Sequence, residues 1–322
     1  MPSALKKAAL IALKLAVAGA LIWLIARNAD LTAVWTRLAQ IDRGAFALGV
    51  AAMFGFCLVM ALRWRMLSAA AGQPIGGVRS ALLYLEALSF NLVLPGSVGG
   101  EVVRVWRTTK LFGGLRRNIA VVLAERVANV GTLALVNVGL WSVLLAAGSV
   151  EGLLALAGVT ALALAAAPGL RTMLRLLAPY RRRRTPREVF RFGWLVRRRF
   201  LKPRVLAAFL LYCALAYAMA AGAIAAALAA AGATSPGPGA LAAVALAALL
   251  GSSIPLSIAG LGFREGAMVA ALGWFGVAQD AALAAALLFT AMLLLQAAPG
   301  LAIWLSGRNG GRPAPPAPYA AD

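Results

Sequence analysis

Apolar runs long enough to cross a bilayer recur along the chain. Residues 8–26, 45–62, 119–147, 153–167, 205–231 and 281–305 carry almost no charge, and about 20 apolar residues suffice for a transmembrane helix. The run at 153–167 is short and draws on its flanks. Strand-like alternation is absent, which argues against a barrel. The pattern predicts an all-α polytopic membrane protein with about six full transmembrane helices. Two further apolar stretches, 80–103 and 240–275, are broken in their middles by proline and glycine.

Charge assigns the sides. Between residues 170 and 205 lie thirteen Arg and Lys opposed only by Glu188. Such a loop, 169–204, belongs in the cytoplasm under the positive-inside bias. Its segment 187–200 mixes Val, Phe, Trp and Leu with Arg. It reads either as a helix lying on the inner surface or as a solvated loop. Lys6 and Lys7 put the N-terminus inside, and Arg63, Arg65 and Arg79 put the loop after the second span inside. Arg104, Arg107, Lys110, Arg116 and Arg117 put the end of the first broken stretch inside as well. Both ends of 80–103 then face the cytoplasm, and 24 residues are too few for two crossings. A re-entrant hairpin follows. The second broken stretch has no Lys or Arg in either flank, 232–239 or 277–280. It enters from outside. The alternative is a pair of ordinary proline-kinked spans, which would strand Arg104 to Arg117 on the outer side.

The two breaks match. Leu94-Pro95-Gly96-Ser97-Val98-Gly99-Gly100 aligns with Ile254-Pro255-Leu256-Ser257-Ile258-Ala259-Gly260, 160 residues later. Each is followed by an arginine and a carboxylate: Glu101 and Arg104, then Arg264 and Glu265. Opposite sidedness and a shared motif predict an inverted repeat whose broken helices meet near the bilayer midplane. The hairpin tips are Pro95, Gly96, Gly99, Gly100, Pro255, Gly260 and Gly262. The whole domain spans 1–305, with halves 1–168 and 205–305 and a Gly/Pro-rich, disordered cytoplasmic tail at 306–322.

Ionisable residues inside these runs demand a reason. A central Arg, Lys or Asp costs about 2.5–3.5 kcal/mol on insertion scales. Glu101, Arg104, Glu125, Arg126, Arg264 and Glu265, left unpaired, would cost on the order of 15–20 kcal/mol. Glu101 and Arg104 share a helix face. Glu125 and Arg126 are adjacent, as are Arg264 and Glu265, and adjacent side chains diverge by roughly 100° on a helix. Their partners are therefore expected on other segments. The predicted site is a polar cluster of these six, joined by Asn91, Ser97, Asn129 and Ser257. It either binds substrate or serves as a polar lock for the hairpins. Glu86 and Lys14 are read as local structural charges.

Composition narrows the classes. The chain of 322 residues is 62% hydrophobic and 13% charged, against about 45–50% and 25% in soluble domains. Its net charge of +21 is mostly topological and suits anionic lipid, not nucleic acid. The absence of histidine removes the commonest acid–base and metal-binding side chain. Cys57 and Cys213 lie in apolar runs and read as core residues. The four aspartates, at 30, 42, 280 and 322, fall in loops or the tail, so no carboxylate group for Mg²⁺ is expected. No P-loop is present. No catalytic residue, cofactor or metal is expected, and the protein is not expected to be an enzyme.

LPGSVGGEVVRVWR (94–107), AERVAN (124–129) and IPLSIAGLGFREGA (254–267) resemble three signatures of the lysylphosphatidylglycerol synthase transmembrane-region family. That family includes the flippase portion of the bacterial multiple peptide resistance factor and small stand-alone flippase-like proteins. The resemblance implies a multi-pass protein of the bacterial cytoplasmic membrane, both termini cytoplasmic, that moves lipids or lipid-linked precursors between leaflets. It places conserved charged positions on the six residues above. An aspartate is common where Glu101 stands, and an acidic residue where Asn129 stands. The aminoacyl-transferase domain of the full-length synthases is not expected in a chain ending at Asp322. The expected partners are membrane lipids with anionic or phosphate-containing headgroups, with a homo-oligomer or a lipid-synthesis enzyme as further possibilities. The alternative function is a non-transporting accessory or scaffold protein of envelope-lipid synthesis.

The sidedness has a direct check. With Cys57 and Cys213 replaced, a single cysteine at position 277 should react with impermeant reagent from outside, and one at position 109 should not. Outside labelling at both positions would exclude the hairpin.

Overall fold

The computed structural model describes residues 29–93, 99–115, 117–126, 202–252 and 260–307, with isolated positions at 19, 20, 23, 27, 129, 132, 139, 157 and 200. Among the described residues the regular elements are helices, with no strand. They are α1 (Leu31–Ala39), α2 (Arg43–Ala70), α3 (Gly77–Val93), α4 (Gly99–Phe112), α5 (Pro203–Ala230), α6 (Pro238–Ser252), α7 (Phe263–Trp274) and α8 (Gln279–Leu305). Residues 117–126 are helical too. The expected spans 8–26 and 153–167, most of 119–147, nearly all of the basic loop 169–204 and the tail beyond 307 lie outside the described residues.

Local chemistry sets the helix ends. Asp30 accepts from the amides of Thr32 and Ala33 at 2.9 and 3.2 Å, and Asp42 accepts from Gly44 and Ala45 at 2.8 and 3.1 Å. Each carboxylate satisfies amides that have no partner within the helix. Pro203 opens α5 at a position where the missing N–H costs nothing. Position 94, just before Pro95, is biased away from helical geometry, and α3 ends at Val93.

Three helices are long and apolar enough to cross a membrane: α2, α5 and α8. The first departs from the sequence reading. The expected span 45–62 continues as α2 through Ala70, and Arg63, assigned to a cytoplasmic loop, is buried within it at 2% exposure. No Gly or Pro stands between Leu62 and Gly72 to stop the helix.

α8 is mostly buried, whereas α2 and α5 face largely outward. It packs against α1, α2, α3, α5 and α7. Its buried surface is rich in small residues, Ala281, Ala282, Ala284, Ala285 and Ala286 among them, which let helix backbones approach closely. α2 packs extensively along α5. The arms on either side of each break also pack together, α3 on α4 and α6 on α7. The connecting residues 94–98 and 253–259, which include Pro95, Gly96, Ser97, Pro255 and Ser257, lie outside the described residues.

At one end of the bundle Arg37 gathers three turns of chain. Its Nε donates to Asp280 Oδ2 at 2.7 Å, and its Nη1 donates to the carbonyls of Ala231 and Gly232 at 3.0 and 3.4 Å. The Asp42 amide donates to the Ala230 carbonyl at 3.1 Å.

Gly300 shows how tight the α8–α3 contact is. A Cβ there would collide with the Leu85 backbone carbonyl and Ser89 Oγ, whereas one at Gly49 would meet chiefly the flexible end of Met292. Overpacking against backbone costs about 1–3 kcal/mol. Gly300→Ala should therefore lower the thermal midpoint in detergent clearly more than Gly49→Ala, and equal midpoints would refute the close approach.

Candidate functional site

Elements from both halves of the chain surround a cavity of about 350 Å³. α2 supplies Arg63, α3 Asn91, α4 Glu101 and Arg104, the 117–126 helix Glu125 and Arg126, α7 Arg264 and α8 Gln296. Much of the remaining wall is apolar, including Phe56, Met60, Leu88 and Leu293. The cavity thus has a charged lining within an oily shell.

Glu125 is the hub. Its Oε1 accepts from Arg63 Nη2 at 2.8 Å and its Oε2 from Arg104 Nη1 at 2.6 Å. All three side chains are more than nine-tenths buried. Arg63 Nη1 also donates to Asn129 Oδ1 at 2.7 Å and to the Cys213 sulfur at 3.2 Å. Arg104 packs over the rings of Trp64 and Tyr84, with centroids 5.6 and 5.2 Å away, a favourable use of aromatic faces for a buried cation. One residue along, Arg126 Nε pairs with Glu101 Oε1.

The arginine of the second motif is held differently. Arg264 Nη2 meets Glu265 Oε1 at 2.6 Å and its Nε meets the same oxygen at 3.1 Å. Thr290 Oγ1 donates to Glu265 Oε1 at 2.5 Å. Glu265 Oε2 accepts from the Gly262 amide at 2.6 Å. Gly262 has φ +85°, a conformation that glycine adopts without strain. The bend folds the Glu265 carboxylate back over the helix start, where Arg264 reaches it.

The expectation that adjacent charges pair with other segments holds for Glu125 and Arg126. It fails for Arg264 and Glu265, because the positive-φ turn at Gly262 brings the carboxylate round to its neighbour. Asn91 accepts from the Gly100 amide at 2.7 Å, and so braces α3 against α4 where Gly100 abuts the Ala87 carbonyl. Gly99 and Gly260 are buried at the inner ends of the breaks. Arg104 and Arg264, 160 residues apart in the aligned motifs, both line the one cavity. Ser97, Ser257, Pro95, Gly96 and Pro255 lie outside the described residues.

Arg63 and Gln296 are among the lining residues that the sequence reading missed. Arg63 was counted as a loop charge. Gln296, buried in α8, donates from Nε2 to the Met53 carbonyl and carries no charge to mark it. Glu86 is more than a local charge. Its carboxylate takes a bidentate pair from Arg107, 3.0 Å for each contact, and is fully buried. Among the described residues no three His, Cys, Asp or Glu side chains gather as a metal site would require.

The sequence profile of the family described as Lysylphosphatidylglycerol synthase TM region matches residues 11–300. The chain belongs to this family. No curated protein matches the chain. Family membership and the three long apolar helices make it a membrane protein of lipid metabolism or transport. The charged cavity lies within the matched residues, as do α3, α4, α6 and α7.

Removing one partner of a buried ion pair typically costs about 3–5 kcal/mol. Glu125→Gln leaves Arg63 and Arg104 facing each other and should show a loss of that size in reversible unfolding in detergent. Glu101→Gln should cost less, since Arg126 is 30% exposed and water can reach it. Equal losses would mean that Glu125 is not the hub.

Proposed function

We propose that this protein is a lipid flippase, moving a phospholipid or lipid-linked precursor between leaflets of the bacterial cytoplasmic membrane. The observation that carries the reading is the arginine-lined cavity enclosed by elements of both halves. Guanidinium groups bind phosphate and carboxylate bidentately, and the apolar shell suits the start of a hydrocarbon tail. The headgroup occupies the cavity while the tails stay in lipid. No covalent step is involved, and the reading needs neither a cofactor nor an enzymatic centre.

In this reading α3–α4 and α6–α7 are re-entrant hairpins entering from opposite sides, arranged as an inverted repeat with the site between them. The packing of the arms within each pair and the matching positions of Arg104 and Arg264 support it. The meeting of residues 37, 231 and 280 at one end of the bundle agrees with the sidedness read from charge, in which all three are outside. Both termini are then cytoplasmic.

The decisive experiment reconstitutes the purified protein in liposomes with labelled lipids of several headgroup classes. Wild-type protein should speed transfer between leaflets well above protein-free vesicles. Glu101→Gln and Arg264→Ala should each reduce the rate at least tenfold without loss of expression. No acceleration for any headgroup would favour an accessory role in envelope-lipid synthesis. Unchanged rates in both variants would reduce the cluster to a polar lock.

A further inference from the structure

α4 carries two different faces. Glu101 and Arg104 line the cavity. Val102, Trp106 and Lys110 recur at every fourth residue and are exposed, and side chains four apart on a helix stand in one row. At 1.5 Å per residue the row covers about 12 Å of helix. α3 packs against both α4 and α8, and aromatic rings close the space between those two helices. Trp304 of α8 meets Phe90 of α3 edge-on, with centroids 4.5 Å apart, and Trp106 of α4 at 5.5 Å.

Two cations lie against these rings. Arg107 stands 5.1 Å from the Trp106 centroid and 4.8 Å from that of Trp304, and Glu86 neutralises it. The Lys110 ammonium lies 3.7 Å from the Trp106 centroid. Lys110 is exposed and, among the described residues, takes part in no ion pair. An aromatic face attracts a cation without neutralising it. The exposed row thus runs from an aliphatic side chain through an indole to an unneutralised ammonium. On the sidedness read from charge, Lys110 lies nearest the inner surface and Val102 deepest. That order follows a phospholipid from phosphate through the interfacial region to the acyl chain. Trp favours the interface, Lys is a compact point charge suited to phosphate, and the cytoplasmic leaflet carries the anionic lipids.

We propose that the outward face of α4, with Trp304 of α8, is a binding site for anionic phospholipids of the cytoplasmic leaflet. The phosphate meets Lys110, and a chain lies along Trp106 and Val102. The site is separate from the cavity and selects by charge, whichever alcohol the phosphate carries. The inference rests on the sidedness read from charge and not on transport.

The test is headgroup-dependent quenching in phosphatidylcholine vesicles. Cys57 and Cys213 are replaced, and Leu305→Cys, a 76% exposed position beside Trp304, carries an aminonaphthalene fluorophore. Doxyl-labelled phosphatidylcholine, phosphatidylglycerol or phosphatidylserine is added in steps. Half-maximal quenching should need about threefold less of either anionic lipid than of phosphatidylcholine, the scale of one basic residue at a membrane surface. Lys110→Gln should abolish the difference and Lys110→Arg should keep it. Arg43→Gln, at the end of the bundle where Arg37 meets Asp280, should leave it intact. Salt at about 1 M, where the screening length is about 3 Å, should shrink it.

Equal quenching by the three lipids overturns the proposal, and so does an undiminished difference in Lys110→Gln. Should that variant not fold, the lipid series and its salt dependence decide. Preference for one anionic lipid alone overturns charge selection in favour of recognition of that headgroup. Millimolar glycerophosphoglycerol, a phosphodiester without chains, should not relieve the quenching; relief overturns the lipid assignment in favour of a soluble phosphate. Transport is judged separately. A charge preference without transfer between leaflets sinks transport and keeps this site, and transfer without a charge preference does the reverse.

Discussion

A carboxylate shared by two arginines inside an apolar bundle organises this protein. Glu125 ties α2 to α4 through Arg63 and Arg104, and all three residues are buried. Ions in such surroundings persist only when geometry and further hydrogen bonds compensate desolvation. The surroundings here do so. Asn129 and Cys213 accept from Arg63 Nη1, and Trp64 and Tyr84 flank Arg104. The broken helix α3–α4 is thereby held to the long helix α2 by charge, while α8 holds it by close packing at Gly300.

The arginines of the two matching sequence motifs show one pattern put to two uses. Arg104 depends on a carboxylate from another helix. Arg264 carries its own, because the turn at Gly262 folds Glu265 back onto it. A side chain tied to a distant helix responds to any change in that helix. The Arg264–Glu265 pair is closed within its own turn and is tied to α8 as a unit, through Thr290.

Much of the architecture was legible because membranes impose simple rules. Long apolar runs, the breaks at Pro95 and Pro255, and six costly charges each carry a strong local signal. α2, α5 and α8 appear where such runs stand, and Asn91, Glu101, Arg104, Glu125, Arg126 and Arg264 reach the cavity. Arg63 was hidden because an arginine at the end of an apolar run is ordinarily a loop charge, and its partner lies 62 residues away. The unbroken helical sequence up to Gly72 was the available clue. The Arg264–Glu265 contact was hidden because it depends on a positive φ at Gly262. α1 was missed because nine residues make no span, and only the cap at Asp30 announces it.

The shared carboxylate also constrains assembly in the bilayer. Glu125 lies 62 residues after Arg63 and 21 after Arg104. Each of the three is an unpaired ion until the others arrive, and such an ion is costly in hydrocarbon. The segments that carry them must therefore meet before any of the three is left facing lipid.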